Sequence, residues 1–227
     1  MDKVKQHFEE EAREYDGIIL RIIPHYPYMI EALISAIPFE AAAPIRAIDL
    51  GCGTGTVARR VLEAFPRARM SCVDLAENML GMARAKLADY PHIRYIPGDF
   101  NHLEFDQEYD VVVSSLALHH LVSDQDKRGF YRKVYDTLAP GGVFYNADVV
   151  LGSSAALQDM YMDKWRAFMR QKVSDEEIET KWLPKYRAED RPARLSDQLA
   201  WLAETGFAGV DVVWKYYNYA VYGGNKP

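Results

Sequence analysis

The sequence contains little cysteine, no long apolar run and no excess of positive charge. Its two cysteines, Cys52 and Cys72, are too few for a disulfide framework and lack the spacing of a zinc site. No apolar segment reaches the roughly 20 residues that span a bilayer, and the charged N-terminus lacks the apolar centre of a secretory signal. We therefore expect a cytoplasmic protein without membrane contact. The net charge of -6 counts against nucleic-acid binding, which needs a basic face.

The composition is that of an ordinary globular chain. Its 227 residues, 49% of them hydrophobic and 12% aromatic, fit one domain with a substantial core. From about residue 46 to 149, short β-rich runs alternate with helical stretches, which predicts a parallel sheet with helices on both faces. The predicted strands are 46–50, 69–74, 93–97, 109–115, 142–149, 210–215 and 216–222, and the helices between the first five cover about 56–64, 76–89 and 124–138.

Two helical regions are predicted outside the sheet. Residues 1–40 precede the first strand and are expected to form N-terminal cap helices. Residues 152–190 follow the fifth strand and are expected to form a helical lid, within which Ser174-x-x-Glu177 matches a capping box. Pro140-Gly141-Gly142 predicts a turn immediately before the fifth strand.

Three alternating glycines connect the first strand to the first helix of the sheet. Gly51, Gly53 and Gly55 follow the strand directly. Glycine permits a tight turn and lets a ligand approach the backbone, and ligands of open α/β sheets bind at this strand end. The dinucleotide fingerprint requires its third glycine at the position of Thr56, so a dehydrogenase is disfavoured. A purely structural turn is the alternative.

Acidic residues end the next two strands. Asp74 stands 19 residues after Gly55, where a carboxylate can accept hydrogen bonds from both ribose hydroxyls or cap the following helix. Asp99 ends the third strand, where it can accept a hydrogen bond from an adenine amino group or serve as a loop acid. In series with the glycines, the two acids favour nucleoside binding.

Five segments in this order resemble the class I S-adenosylmethionine (SAM)-dependent methyltransferases. They are Ile48–Gly55, Val73–Met79, Gly98–Phe100, Tyr109–Leu121 and Leu138–Gly142. The resemblance implies a seven-stranded Rossmann-like α/β sheet with helices on both faces, its last strand antiparallel. It also implies that SAM is the cofactor and lies across the strand ends.

The resemblance also assigns cofactor contacts. Asp49 and the three glycines would hold the methionyl group, Asp74 the ribose, and Asp99 with Phe100 the adenine. Tyr15 belongs to a segment that resembles the N-terminal cap helix of small-molecule members, where it would hydrogen-bond the methionyl carboxylate. Packing of Tyr15 on the core is the alternative. The remaining cofactor contacts would be Leu75, Met79, Ser115 and Leu116.

Residues near the fourth and fifth strand ends are candidates for contact with the methyl acceptor. His119 is predicted to orient the acceptor or accept its proton, or to cap the loop through a backbone hydrogen bond. Asp148 ends the fifth strand and is a further pocket acid. His119 and His120 are adjacent, and no other Cys or His lies at ligand spacing, so no metal is expected.

The segment Met160–Met169 is the candidate substrate lid. It concentrates methionine and aromatic residues, which adapt to irregular pockets and stack on flat or cationic acceptors. Tyr161, Trp165 and Met169 are the predicted contacts. Their helical spacing is equally typical of an apolar stripe buried in the core.

The sequence thus predicts an enzyme, active as a monomer or homodimer, that transfers a methyl group from SAM to a small-molecule N or O acceptor and releases S-adenosyl-L-homocysteine. The alternatives are a tRNA wobble-uridine-type modification enzyme and a non-catalytic SAM-binding protein. Carboxy-SAM synthases look similar but carry an arginine in the last helix, where this sequence has Trp201. That difference predicts SAM rather than carboxy-SAM as the bound ligand.

Overall fold

The computed structural model describes residues 14–99 and 102–227. Within these residues, seven strands form one sheet in the order β3-β2-β1-β4-β5-β7-β6. Strands β1 to β5 run parallel, and β7 is antiparallel to both β5 and β6, so the predicted sheet and its antiparallel last strand are confirmed. The strands are β1 Arg46–Leu50, β2 Arg69–Asp74, β3 Ile93–Pro97, β4 Tyr109–Ser115, β5 Leu138–Val149, β6 Ala208–Tyr216 and β7 Tyr219–Asn225.

Helices cover both faces of the sheet. One face carries a core built with α1 to α4, α6 and α8, and the other face carries a core built with α5 and α9. A short 3₁₀ turn, Leu118–His120, follows β4. The helices are α1 Tyr15–Ile22, α2 Tyr26–Ser35, α3 Thr56–Ala64, α4 Glu77–Lys86, α5 Asp124–Thr137, α6 Ala155–Met169, α7 Asp175–Glu177, α8 Leu183–Glu189 and α9 Leu195–Thr205.

The register of the parallel strands places their carboxyl ends at one edge. Leu50, the last residue of β1, is paired with Val73 of β2 on one side and with Ser114 of β4 on the other. The residues that follow these strands therefore meet above the same edge, as in other open α/β sheets. Among the described residues, no helix has the length and apolar composition needed to cross a bilayer.

The start of β5 differs from the prediction. Pro140-Gly141-Gly142 does not precede the strand but lies within it, because β5 begins at Leu138. Tyr109 pairs with Leu138 and Val111 pairs with Val143, so a bulge in β5 absorbs the extra residues. Gly141 has a φ of +77° inside this bulge, which explains the glycine at that position.

The helical insertion after β5 is broken rather than continuous. α6 ends at Met169, and Ser174 begins α7 by accepting the backbone N–H of Glu177 at 3.2 Å. The Glu177 carboxylate accepts the indole N–H of Trp182 at 3.0 Å. This bond spans the π-helical turn Ile178–Trp182 that connects α7 to α8. The insertion therefore folds back on itself over the carboxyl edge of the sheet.

Candidate active site

The glycine loop after β1 adopts a backbone that other residues would strain. Gly51, Gly53 and Gly55 have φ values of +73°, +52° and +82°. A Cβ on Gly55 would lie 3.1 Å from the side chains of Ala83 on α4 and of Leu87 just after it, so close packing also requires glycine there. Among the described residues, a Cβ on Gly53 would approach only the Tyr15 ring, at 3.7 Å. The backbone at Gly53 is therefore open to a ligand that reaches the loop.

Asp74, at the end of β2, braces the glycine loop. Its Oδ2 accepts the backbone N–H of Gly53 at 2.8 Å, and its Oδ1 accepts that of Ala76 at 2.9 Å. The carboxylate therefore joins the loop to the start of α4. The contact of this carboxylate with the ribose hydroxyls, implied by the resemblance, stays a prediction.

Asp49 is a fully buried carboxyl group beside the loop. Its Oδ2 accepts the backbone N–H of Ala58 on α3 at 3.1 Å. Its Oδ1 is buried and has no hydrogen-bond partner among the described residues. Burial raises the pKa of Asp49 to about 8, because the charged form loses its hydration. A cationic group of a ligand would satisfy this carboxyl.

The other predicted nucleoside contacts lie around the same strand ends. Met79 is buried in a small cluster with Ala76, against which Tyr15 packs, and Leu75 is partly buried before α4. Asp99 follows β3, with its Oδ2 4.0 Å from the Nδ1 of His102. Phe100 lies outside the described residues.

A polar cluster, which we call the α1 latch, holds helix α1 on the glycine loop. It consists of Asp16, Thr54, Thr56 and Lys86. The Lys86 ammonium donates to Asp16 Oδ2 at 2.6 Å and to the hydroxyls of Thr54 and Thr56 at 2.8 and 2.9 Å. Thr54 also donates to Asp16 Oδ1 at 2.5 Å. The latch places Tyr15 over Gly53, and its members come from three separate segments, so no local motif indicated it.

Two cavities beneath α1 share lining residues. The glycine-loop cavity has about 290 Å³ of empty space, counting the part open to solvent, between the loop, Tyr15, Tyr26, Ser115 and Leu116. The second, which we call the aromatic cavity, encloses about 670 Å³, counting the part open to solvent. Both are lined by Tyr15 and Leu116. Leu116 has a φ of +53°, an uncommon backbone for leucine.

Aromatic side chains from the insertion and from β7 form much of the wall of the aromatic cavity. Trp165 of α6 makes edge contacts with Tyr186 and Tyr219 at ring distances of 5.3 and 6.3 Å. Its indole N–H donates to the carbonyl of Ile22 at 2.7 Å, which ties α6 to the end of α1. Trp182 completes this set. The polar side chains that line the same cavity are His119, His120, Lys185, Glu189 and Asp190.

Of the three predicted lid residues, Trp165 alone is among the described residues that line the aromatic cavity. The Tyr161 hydroxyl accepts a hydrogen bond from Lys215 at 3.0 Å, and the ammonium lies 4.3 Å from its ring centre. Met169 is fully buried in the core. The helical stripe thus supplies both a cavity wall and core packing.

His119 is held between two carboxylates. Its Nδ1 donates to Asp148 Oδ1 at 2.5 Å, and its Nε2 lies 3.5 Å from Asp190 Oδ1. Burial opposes the charged form, but the two carboxylates outweigh it and raise the pKa of His119 to about 10. Such an imidazole already carries a proton at neutral pH, which does not suit the predicted role of base. Asp148 is 1% exposed and supports His119 from within the sheet.

Asp190 was missed in the sequence because it lies 70 positions from His120 and in no motif. Its Oδ1 lies 3.8 Å from His120 Nδ1. Burial and the charge on His119 lower the pKa of His120 to about 3, so this imidazole is neutral. Although burial opposes it, the charge on His119 lowers the pKa of Asp190. The ligand atom of this carboxylate and those of both histidines lie within 4.8 Å of one another, a grouping that the spacing of the sequence did not indicate.

Comparison with known proteins agrees with this geometry. Residues 47–142 match the family model described as a methyltransferase domain. The carboxy-SAM synthase of Wolinella succinogenes is 26% identical over 238 residues, covering 97% of this chain and 94% of that protein. The malonyl-[acyl-carrier protein] O-methyltransferase of Halalkalibacterium halodurans is 30% identical over 124 residues, covering 52% of this chain and 45% of that protein. The chain thus spans about half the length of the latter relative.

Solved structures share the fold. The DhpI–SAM–HEP complex has a TM-score of 0.66 at 19% identity, with 98% of this chain and 95% of that chain covered. Human N-acetylserotonin methyltransferase in complex with SAM has a TM-score of 0.64 at 15% identity, with 98% of this chain and 56% of that chain covered.

The sheet order, the glycine loop and the matched domain agree with the class I SAM-dependent methyltransferases. Residues 47–142 form a methyltransferase domain, the resemblance drawn from the sequence is confirmed, and SAM is the cofactor that it implies. The residues present fit that cofactor. Asp49 offers a buried oxygen without a partner among the described residues, and Gly53 leaves its backbone open.

Proposed function

We propose that the chain transfers the methyl group of SAM to a nitrogen or oxygen of a small molecule bound in the aromatic cavity. The observation that carries this proposal is that the glycine-loop cavity and the aromatic cavity share Tyr15 and Leu116 as lining residues. A donor held by the glycine loop and an acceptor held among the aromatic rings would face each other beside these two residues. S-adenosyl-L-homocysteine would be the second product.

The residues contribute mainly by positioning. SAM supplies an electrophilic methyl group on a sulfonium, and its displacement requires donor and acceptor in line. Asp74 and the glycine loop would hold the nucleoside end, and Asp49 the methionyl amino group. Tyr15 and helix α1 cover the loop and would exclude water from the reaction. His119, with its proton, would donate a hydrogen bond or balance negative charge rather than act as a base.

A carboxy-SAM synthase-like function is the main alternative, since that relative matches nearly the whole chain. Trp201 stands where carboxy-SAM synthases carry an arginine. It lies in the core on the α9 face, with the Arg128 guanidinium 6.0 Å from its ring. It is not among the described residues that line either cavity. The presence of tryptophan rather than arginine at position 201 therefore does not distinguish SAM from carboxy-SAM as a ligand bound within the same chain.

The ligand retained through purification tests the proposal. Mass spectrometry of the released ligand should find SAM or S-adenosyl-L-homocysteine, and metabolite pools should support homocysteine-coupled turnover. A dominant carboxy-SAM signal would overturn the methyltransferase proposal. Tight SAM binding without turnover on any pool would favour the non-catalytic alternative.

Residues 1–25 and about 152–190 are proposed to act as a cover within one SAM-binding domain. The described parts, α1 and α6 to α8, lie over the carboxyl edge and are joined by the bond from Trp165 to Ile22. Closure of such segments excludes water from the reacting groups. We predict slower hydrogen exchange in both segments when S-adenosyl-L-homocysteine is added. Exchange in α5, on the opposite face, serves as the control, and equal protection with and without ligand would refute closure.

Asp49 gives a prediction on pH. Because its pKa is raised to about 8, Asp49 holds a proton near pH 7 in the free protein. The methionyl ammonium would favour the carboxylate, so binding should release up to about one proton, and affinity should rise towards pH 8. Calorimetry in buffers of different ionisation enthalpy measures this release. The Asp49→Asn variant is the control, and the same buffer dependence in both proteins would contradict the assignment.

A further inference from the structure

Three potential metal ligands converge on the wall of the aromatic cavity. His119 Nε2 lies 3.5 Å and His120 Nδ1 lies 3.8 Å from Asp190 Oδ1. Tetrahedral ligands placed about 2.1 Å from a zinc ion lie about 3.4 Å from one another. Two of the separations are close to that spacing, and all three ligand atoms lie within 4.8 Å of one another. His120 Nδ1 also lies 3.4 Å from the carbonyl oxygen of Glu189, so the His120 ring would rotate away from that contact to bring all three groups onto one ion.

The two histidines are adjacent, yet they can share an ion because of the local backbone. Leu118–His120 forms a 3₁₀ turn after β4. The two imidazole rings lie 4.1 Å apart between centres and are tilted by 49°. Both rings line the aromatic cavity, as does Asp190, which approaches from the end of α8. An ion at this position would therefore have an open side towards the cavity.

A supporting carboxylate orients the first histidine. Asp148 accepts the Nδ1–H of His119 at 2.5 Å and leaves Nε2 facing Asp190. Asp148 itself accepts the backbone N–H groups of His119 and Val149 at 3.0 and 2.8 Å, and the amide of Asn146 at 3.3 Å. Metal-binding histidines usually donate their other ring N–H to such a carboxylate, which fixes the tautomer.

We propose that His119, His120 and Asp190 bind a divalent transition metal ion such as zinc, and that the ion binds a hydroxyl oxygen of the methyl acceptor. The role on the acceptor rests on the proposed function, whereas the metal site does not. Coordination lowers the pKa of a bound hydroxyl. Its proton leaves to water, an oxygen lone pair forms the new O–C bond, and the electrons of the broken C–S bond stay on sulfur. This assignment narrows the acceptor class to hydroxyl compounds.

Zinc binding tests the site without any methyl transfer. Protein stripped of metal with a chelator is titrated with zinc chloride by calorimetry, in the presence of S-adenosyl-L-homocysteine. We expect one equivalent to bind the wild type, and at least tenfold weaker binding to Asp190→Asn, which keeps the shape but removes the charged ligand. For Asp148→Asn, a positioning residue, we expect about 10- to 100-fold weaker zinc binding.

A matched control is His92→Asn, at the amino end of β3. His92 has a φ of +68°, which asparagine tolerates, and the variant should bind zinc as the wild type does. Unchanged affinity for S-adenosyl-L-homocysteine in every variant shows that each is folded. Wild-type protein that binds no zinc, or Asp190→Asn that binds it equally well, would overturn the site. One bound zinc together with turnover only on amines would overturn its role on a hydroxyl.

Discussion

The Asp74→Asn variant is expected to bind SAM about 10- to 150-fold more weakly than the wild type. Ribose hydroxyls would donate charge-assisted hydrogen bonds to this carboxylate, and such bonds contribute about 1.5–3 kcal/mol. Asp74 also accepts the backbone N–H groups of Gly53 and Ala76. An amide in its place would turn an NH₂ group towards one of these donors. The substitution would therefore disturb the loop as well as the ribose contact.

Calorimetry with SAM and with S-adenosyl-L-homocysteine measures this effect. Both affinities should fall together, because the ribose is common to the two ligands. Asp89→Asn, beyond the end of α4, provides a matched change of charge and should leave both affinities unchanged. Wild-type affinity in Asp74→Asn would contradict the proposed contact between this carboxylate and the ribose.

The first four strands could be predicted from the sequence to the residue. Three of them, β1, β2 and β4, are largely buried, whereas β3 lies at the edge of the sheet and is only partly buried. Each of the four is a short β-rich run bounded by turn residues, so the local sequence pattern is enough to locate the strand. The start of β5 could not be predicted in this way. Pro140-Gly141-Gly142 follows the local rule for a turn, but pairing with β4 carries these residues into the sheet as a bulge. Pairing with the distant strand β4, rather than the local sequence, therefore determines where β5 begins.

The residues of the candidate site also divide into those that sequence position locates and those that depend on long-range contacts. Sequence position alone locates Asp49 and Asp74 beside the glycine loop, at the strand ends, whereas their contacts with the cofactor stay a prediction. Asp190 and Lys86 could not be located in this way, since each acts on a residue at least 30 positions away and in a different element. Whether His119 carries a proton was equally hidden, because its charge depends on Asp190. The local sequence pattern does not show which distant residues folding brings into contact.

Lys86→Met is expected to speed the release of S-adenosyl-L-homocysteine about 5- to 30-fold. The lysine ammonium makes three of the bonds in the α1 latch, and the Met side chain keeps the apolar stem without them. Burial alone would raise the pKa of Asp16, but hydrogen bonds from Lys86 and Thr54 lower it. Asp16 is therefore ionised at neutral pH, and its contribution is lost only when acid protonates it.

The expected increase in the release rate follows from the exposure of the Asp16 side chain. The Asp16 side chain is 51% exposed, so screening by water reduces the worth of its ion pair, and we expect about 1–2 kcal/mol for the latch as a whole. Stopped-flow measurement of ligand release tests this, with Lys133→Met on the exposed face of α5 as the control. Faster release accompanied by faster hydrogen exchange in α1 would show that the latch holds the helix over the ligand. Equal release rates in Lys86→Met and wild type would show instead that α1 stays in place through the apolar contacts of Ile18 and Ile19 with the core.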